Sequence, residues 1–148
     1  MGTAPATAEV VLAAWLRGLN LAAGAGHHLP TDNSTWATSG YLLVPLGAVG
    51  GGRDYDTTME HPVMQVDAYA AAPDSGKPPW AKAGVLAQRV IRATDDESLV
   101  KVSPTLPSAY APVRVLELYL VGPPPHPLPD VSSYARYTFN LAMHWVQL

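Results

Sequence analysis

The chain has no cysteine. That removes disulfides, thiolate nucleophiles and cysteine-based zinc sites together, and it is neutral about redox compartment. Charge is scarce too: 14% of residues are charged and the net charge is −3, against about 25% charged in an average globular chain. So few charges point to surface hidden in an assembly, although the inflated Ala, Gly and Pro content is also what a biased genome composition produces. The slight acidity argues against sequence-independent DNA binding, which needs a basic face. No apolar run approaches the roughly eighteen residues of a membrane helix; Val10–Leu16 is the longest. The start lacks the basic residues of a signal peptide. Met1-Gly2 is followed by Ala6 where a myristoylation signal carries a hydroxyl. The expectation is a soluble intracellular protein. With 148 residues it is most simply one domain, long enough to bury about two thirds of its unfolded surface.

What is there is organised around His61–Arg92. Val63–Ala70 alternates Met64, Val66, Ala68 and Ala70 against Gln65, Asp67 and Tyr69, the pattern of a strand buried on one side. A breaker-rich connection, Pro73–Pro79, leads into Trp80–Arg92. There Trp80, Ala83, Ala87, Val90 and Ile91 recur at spacings of three and four, away from Lys82, Arg89 and Arg92. Pro79 suits the start of a helix, and Ala83, Gly84 and Ala87 would let that helix lie close on a sheet.

The remaining elements follow in order. Glu9–Leu19 has a helical stripe of Val11, Ala14, Trp15, Gly18 and Leu19, with Thr7 as N-cap and Glu9 at the positive end of the dipole. Leu21–Ser39 reads as loop; its Asn33-Ser34-Thr35 matches a glycosylation acceptor, which chance explains, since nothing else points to secretion. Tyr41–Val44 reads as a short strand, and Gly47–Gly52 followed by Arg53–Thr58 as a flexible or extended connection. Thr94–Leu106 reads as polar loop. Val113–Val121 alternates Leu116, Leu118 and Leu120 against Val115, Glu117 and Tyr119, so both faces of that strand are fairly apolar. The proline-rich Pro123–Pro129 should be a stiff extended arm or loop that cannot continue a ladder. Tyr137, Phe139, Leu141, Met143 and Trp145 then alternate with polar residues, a long strand whose apolar face belongs to the core. The sum is an α+β fold, a mostly antiparallel or mixed sheet with two helices on one face and a long C-terminal β-hairpin.

Candidate sites each have a plainer reading beside the functional one. His27-His28 with Asp32, and His61, His126 and His144, are metal-ligand types. Yet no H-x-x-x-H or H-E-x-x-H spacing occurs, and surface histidines explain them. Gly50-Gly51-Gly52-Arg53 lacks the Lys-Ser/Thr and the following helix of a phosphate loop. Asp54 and Asp56 form a carboxylate pair without a nucleophile or an activated histidine. Arg136, beside Thr138 and Asn140 on the polar face of the last strand, meets either water or the lining of a subunit contact or a channel. Among the aromatics enriched at interfaces, Trp36, Tyr55 and Tyr134 are contact candidates, Trp36 being preferred to Trp80, which reads as packing.

This order of elements resembles the tail terminator proteins of long-tailed bacteriophages, also known as minor tail or tail completion proteins. Three segments carry the likeness: the N-terminal helix leading to the strand and glycine-rich turn Tyr41–Arg53, the strand–helix unit Val63–Arg92, and the ending "PDVSSYARYTFNLAMHW", Pro129–Trp145. They cover most of the chain and include no catalytic signature. The resemblance implies a virion structural protein without catalysis, cofactor or metal, assembled in the host cytoplasm at the head-proximal end of the tail. It implies a homo-oligomeric ring, usually a hexamer, through which DNA passes. The ring caps the tail tube protein, stops its polymerisation and docks the head–tail connector or head closure protein. By position, Arg53, Asp54, Tyr55 and Asp56 in the long connection, Pro123, Pro124, Pro125 and His126 in the hairpin, and Arg136 in the terminal motif are the expected interface residues. The rivals are a head closure or head–tail joining protein of the neck, and a small-molecule-binding or hydrolytic α+β domain using the Asp/His loops.

Overall fold

The computed structural model describes residues 2–72, 77–128 and 134–148. Part of the breaker-rich connection, Pro73–Gly76, and Asp130 of the terminal motif lie outside the described residues. The elements run α1 (Ala8–Leu19), β1 (Ala25–Gly26), a 3-10 turn (Asn33–Thr35), β2 (Tyr41–Leu43), β3 (Gly50–Arg53), β4 (Glu60–Ala70), α2 (Trp80–Ala93), α3 (Glu97–Val100), β5 (Val113–Pro127) and β6 (Ala135–Gln147). One mixed sheet holds the strands in the order β1-β2-β4-β6-β5, with β3 also paired to β4. Only the β1–β2 pair is parallel among these ladders. The α+β architecture and the closing β5–β6 hairpin are as the alternation predicts.

Both long helices pack on one face. Val11, Leu12, Trp15 and Leu16 of α1 and Leu86, Ala87 and Val90 of α2 share a single core with Met64, Val66 and Ala68 of β4 and Phe139, Leu141, Met143 and Trp145 of β6. Each such Leu, Val or Phe contributes about 1.5–3 kcal/mol by leaving water. α1 is buried continuously from Val11 to Leu16, as a helix covered on nearly all sides must be; the Trp15 indole donates to the Leu99 carbonyl at 2.9 Å. α2 comes close to the sheet through its small residues. A Cβ on Gly84 would stand 3.2 Å from the Tyr137 ring. Leu86 is in the buried stripe and Ile91 only partly. Trp80, expected to pack, is 37% exposed.

Several loops are more ordered than their composition predicts. Of the flexible and extended readings of the Gly47–Thr58 connection, Gly50–Arg53 takes the extended one, as an edge strand hydrogen-bonded to Glu60–Val63; its glycines let β3 follow β4 at close range, Gly51 having φ +77°. Thr94–Leu106 contains α3, capped by Asp96, whose side chain accepts from the Ser98 N–H. Leu21–Ser39 contains β1 and the 3-10 turn. Thr7 stands at the N-cap of α1 but makes no side-chain capping bond.

β5 holds two further corrections. From Val115 to Glu117 it advances two residues while β6 advances one. This bulge at Leu116 switches the core-facing parity from Val113 and Val115 to Leu118, which is why both faces look apolar in the sequence. Beyond Val121 the proline segment does continue the ladder: β5 takes five steps to His126 while β6 takes two, and pairing resumes at His126–Thr138 and Pro127–Tyr137. Proline is tolerated because β5 is the sheet's edge, where a missing N–H faces outward, and because the surplus residues bulge out of register.

Candidate functional site

The face of the sheet opposite the helices is divided in two. Toward the ends of β2 and β4 it is covered by a second small core of Trp36, Ala37, Tyr69 and Ala71, with Tyr41, Leu43 and Tyr134 packed against it. Trp36 is therefore not a surface contact. It is 1% exposed, its indole N–H donates to the Pro30 carbonyl at 3.1 Å, and Tyr134 meets it edge-on with centroids 5.1 Å apart. The same cover buries the supposedly polar side of β4. Asp67 has no exposure, and it receives Arg136 Nη2 at 2.9 Å and Gln65 Nε2 at 3.0 Å. Arg136 also lies 5.8 Å over the Tyr69 ring. Its guanidinium is engaged within the subunit.

Toward the other end the face is open. His61 on β4 and His144 on β6 stand side by side with ring centroids 5.8 Å apart. His144 Nε2 lies 3.3 Å from the Tyr119 hydroxyl on β5. His61 Nε2 lies 3.0 Å from Asp54 Oδ1. The row Asp54–His61–His144–Tyr119 thus crosses the sheet from the β3–β4 turn to β5. The sequence offers His61 and His144 only within a loose set of histidines that no ligand spacing connects; strand pairing is what brings these two together, and nothing local in the chain signals it.

The β3–β4 turn is built around Asp54. Its N–H donates to the Met59 carbonyl, its Oδ2 accepts from the Thr57 hydroxyl at 3.0 Å, and its Oδ1 holds His61. With Asp54 so engaged, Arg53 and Asp56 are left exposed and the Tyr55 side chain is wholly in solvent. An aromatic held out by a fastened turn is suited to insertion into a partner.

At the opposite edge, Pro123 and Pro124 are exposed, Pro125 is half-buried, and the exposed His126 donates from Nδ1 to the Pro124 carbonyl at 3.1 Å. Arg53–Asp56 and Pro123–His126 therefore do not converge. β6 occupies one side of β4 along its length, so β2 and β3 share the other side, and β5 lies beyond β6. Arg136 belongs to neither edge.

The remaining candidates are dispersed. His27 Nδ1 lies 3.1 Å from the Val44 carbonyl. Asp32 caps the 3-10 turn, and the Ser34 hydroxyl and N–H hold its carboxyl below the usual value. Glu9 reaches the Gly47 N–H at 2.8 Å. Burial opposes its ionisation, but hydrogen bonds from its own N–H, the Thr7 hydroxyl and Gly47 outweigh that and lower its pKa. Among the described residues no three His, Asp or Glu side chains come together as a metal site would need, and no helix is long and apolar enough to cross a membrane. The clefts at the surface are open grooves. This arrangement offers contact surfaces at two edges and a polar sheet face between them. No protein-family model matches the chain, and no curated protein matches it.

Proposed function

We propose that the chain is a structural ring subunit of the tail-terminator type. It caps a phage tail tube, stops its polymerisation and presents a docking surface to the head–tail connector, with no catalytic step of its own. The observation that carries the reading is the separation of two different contact edges. The β3–β4 turn with its projecting Tyr55 lies at one side of the sheet, and the proline-bulged β5 lies at the other. A closed ring needs this asymmetry, since head-to-tail contacts join unlike patches on identical subunits and are satisfied by rotation. The low charge content and the likeness in element order give further support. Arg136 serves this reading as an internal brace for the sheet.

The test is mass in solution by light scattering, with negative-stain images, before and after addition of the cognate tail tube protein. Rings, alone or on the ends of tubes of fixed length, are expected. A particle that stays monomeric and ignores tubes overturns the proposal. Rings that bind the connector and leave tubes uncapped replace it with a neck protein.

A further inference from the structure

The positive charge of this acidic chain is concentrated on one helix. Four of its nine Lys and Arg residues, Lys77, Lys82, Arg89 and Arg92, fall in or just before α2, with no Asp or Glu from Ser75 to Thr94. Lys82 is spent on the Ala37 carbonyl at 2.6 Å. Arg89 and Arg92 are exposed and have no ion-pair partner among the described residues. They border a groove floored by Ala81, Gly84, Val85 and Tyr137, and Val85 is 49% exposed. Gly84 lets the Tyr137 ring pack directly against α2, a Cβ there standing 3.2 Å from it, and that ring forms part of the floor. A shallow apolar floor beside two exposed guanidiniums is complementary to an aromatic flanked by carboxylates.

The chain carries that complement elsewhere. At the β3–β4 turn, Tyr55 projects between Asp54 and Asp56, and Glu60 follows at the start of β4. Asp54 is engaged by His61, which leaves Asp56 as the carboxylate open to a partner. We infer that the α2 groove is the receptor for the Asp54–Thr58 turn of a second copy of this chain, with Tyr55 seated on Gly84 and Val85 and Asp56 facing Arg89 and Arg92. The contact is head-to-tail, because turn and groove are different surfaces. It rests on the ring reading and refines it: the patch that the turn meets on the neighbouring copy is the α2 groove, and the β5 edge is left to the tube or the connector. Charge complementarity sets its register and speed of formation, and the buried aromatic supplies most of its hold.

The absence of native cysteine makes cross-linking unambiguous. Thr58→Cys and Gln88→Cys place single thiols at the end of the turn and on the lining of the groove, leaving Tyr55, Asp56, Arg89 and Arg92 intact. Equal amounts of the two full-length variants are mixed under mild oxidation. The mixed 58–88 disulfide is expected in excess over the two like-with-like products by at least about fivefold, against a one-to-one ratio for random pairing, because a seated contact raises the effective thiol concentration. Tyr55→Ala or Asp56→Lys in the first chain should slow the mixed product several-fold, and Arg89→Glu in the second should restore it against Asp56→Lys. A random ratio, a dominant 58–58 product, or indifference to both charge reversals overturns the inference. Mixed disulfide in excess without rings or tube caps would keep this contact and sink the terminator reading alone.

Discussion

Arg136 and Asp67 are bonded at 2.9 Å on adjacent strands, and the two side chains are unequally wet: Arg136 retains 22% exposure while Asp67 retains none. Neighbours in register link β6 to β4 here, since Arg136 pairs with Tyr69 and Thr138 with Asp67. The ion pair crosses that ladder diagonally under the Trp36 cluster. The carboxylate is therefore the vulnerable partner, because it has no water to fall back on.

Arg136→Ala should destabilise the fold by about 2–3 kcal/mol in urea unfolding, somewhat below the figure for a wholly buried pair because the guanidinium is partly solvated. The double variant Arg136→Met/Asp67→Leu should recover most of that loss, since it leaves no buried charge behind. An Arg136→Ala protein as stable as the parent would show that the pair carries no net weight.

The two tryptophans whose roles are exchanged give a paired comparison. Trp36→Ala should cost about 3–5 kcal/mol by opening a cavity in the second core. Trp80→Ala, at the exposed start of α2, should cost roughly 1 kcal/mol or less. Equal losses in thermal or chemical melts would mean that the small core over Tyr69 is not a packed unit.

Gly51 cannot accept a side chain. A Cβ there would lie 2.2 Å from the His61 carbonyl oxygen, and the φ of +77° disfavours other residues. Gly51→Ala should cost on the order of 2–3 kcal/mol or detach β3 from β4, read as loss of hydrogen-exchange protection at Val49, whose N–H donates to the Val63 carbonyl. Retained protection there with unchanged stability would contradict the hairpin geometry.

Glu9 ties α1 to the loop at Gly47, and its folded pKa lies below the usual glutamate value. A carboxyl depressed on folding stabilises the protein above its unfolded pKa, and the benefit disappears as pH falls through the folded one. The parent should therefore exceed Glu9→Gln by about 1 kcal/mol near neutrality, and the gap should close as pH falls below the usual glutamate range and through the depressed folded value. A gap that is constant across this range would place the stabilisation outside the charge.

The amino-acid sequence by itself determined the two long helices and the two central strands, because their information is local. The spacing of Val11, Ala14 and Trp15 marks α1, the stripe through Ala83, Ala87 and Val90 marks α2, and the alternations through Met64, Val66 and Ala68 and through Phe139, Leu141 and Met143 mark the two central strands. The apolar faces assigned to the two central strands are buried, whereas α1 is buried all round from Val11 to Leu16 with Gly18 of its expected stripe exposed, and Trp80 of the α2 stripe is exposed. What only the tertiary structure decided was pairing and cover. The register that sets His61 beside His144 and Arg136 near Asp67 depends on residues about seventy or more positions apart. The bulge at Leu116 reverses a strand's parity without any local mark, and the Gly-rich β3 is ordered by its partner rather than by its own propensity. Trp36 lies in a polar stretch whose composition predicts loop, yet folding lays that loop over one half of the sheet face opposite the helices. Whether a polar side chain such as Asp67 meets water or another residue is settled by what packs over it, and periodicity along a single strand carries no record of that second layer.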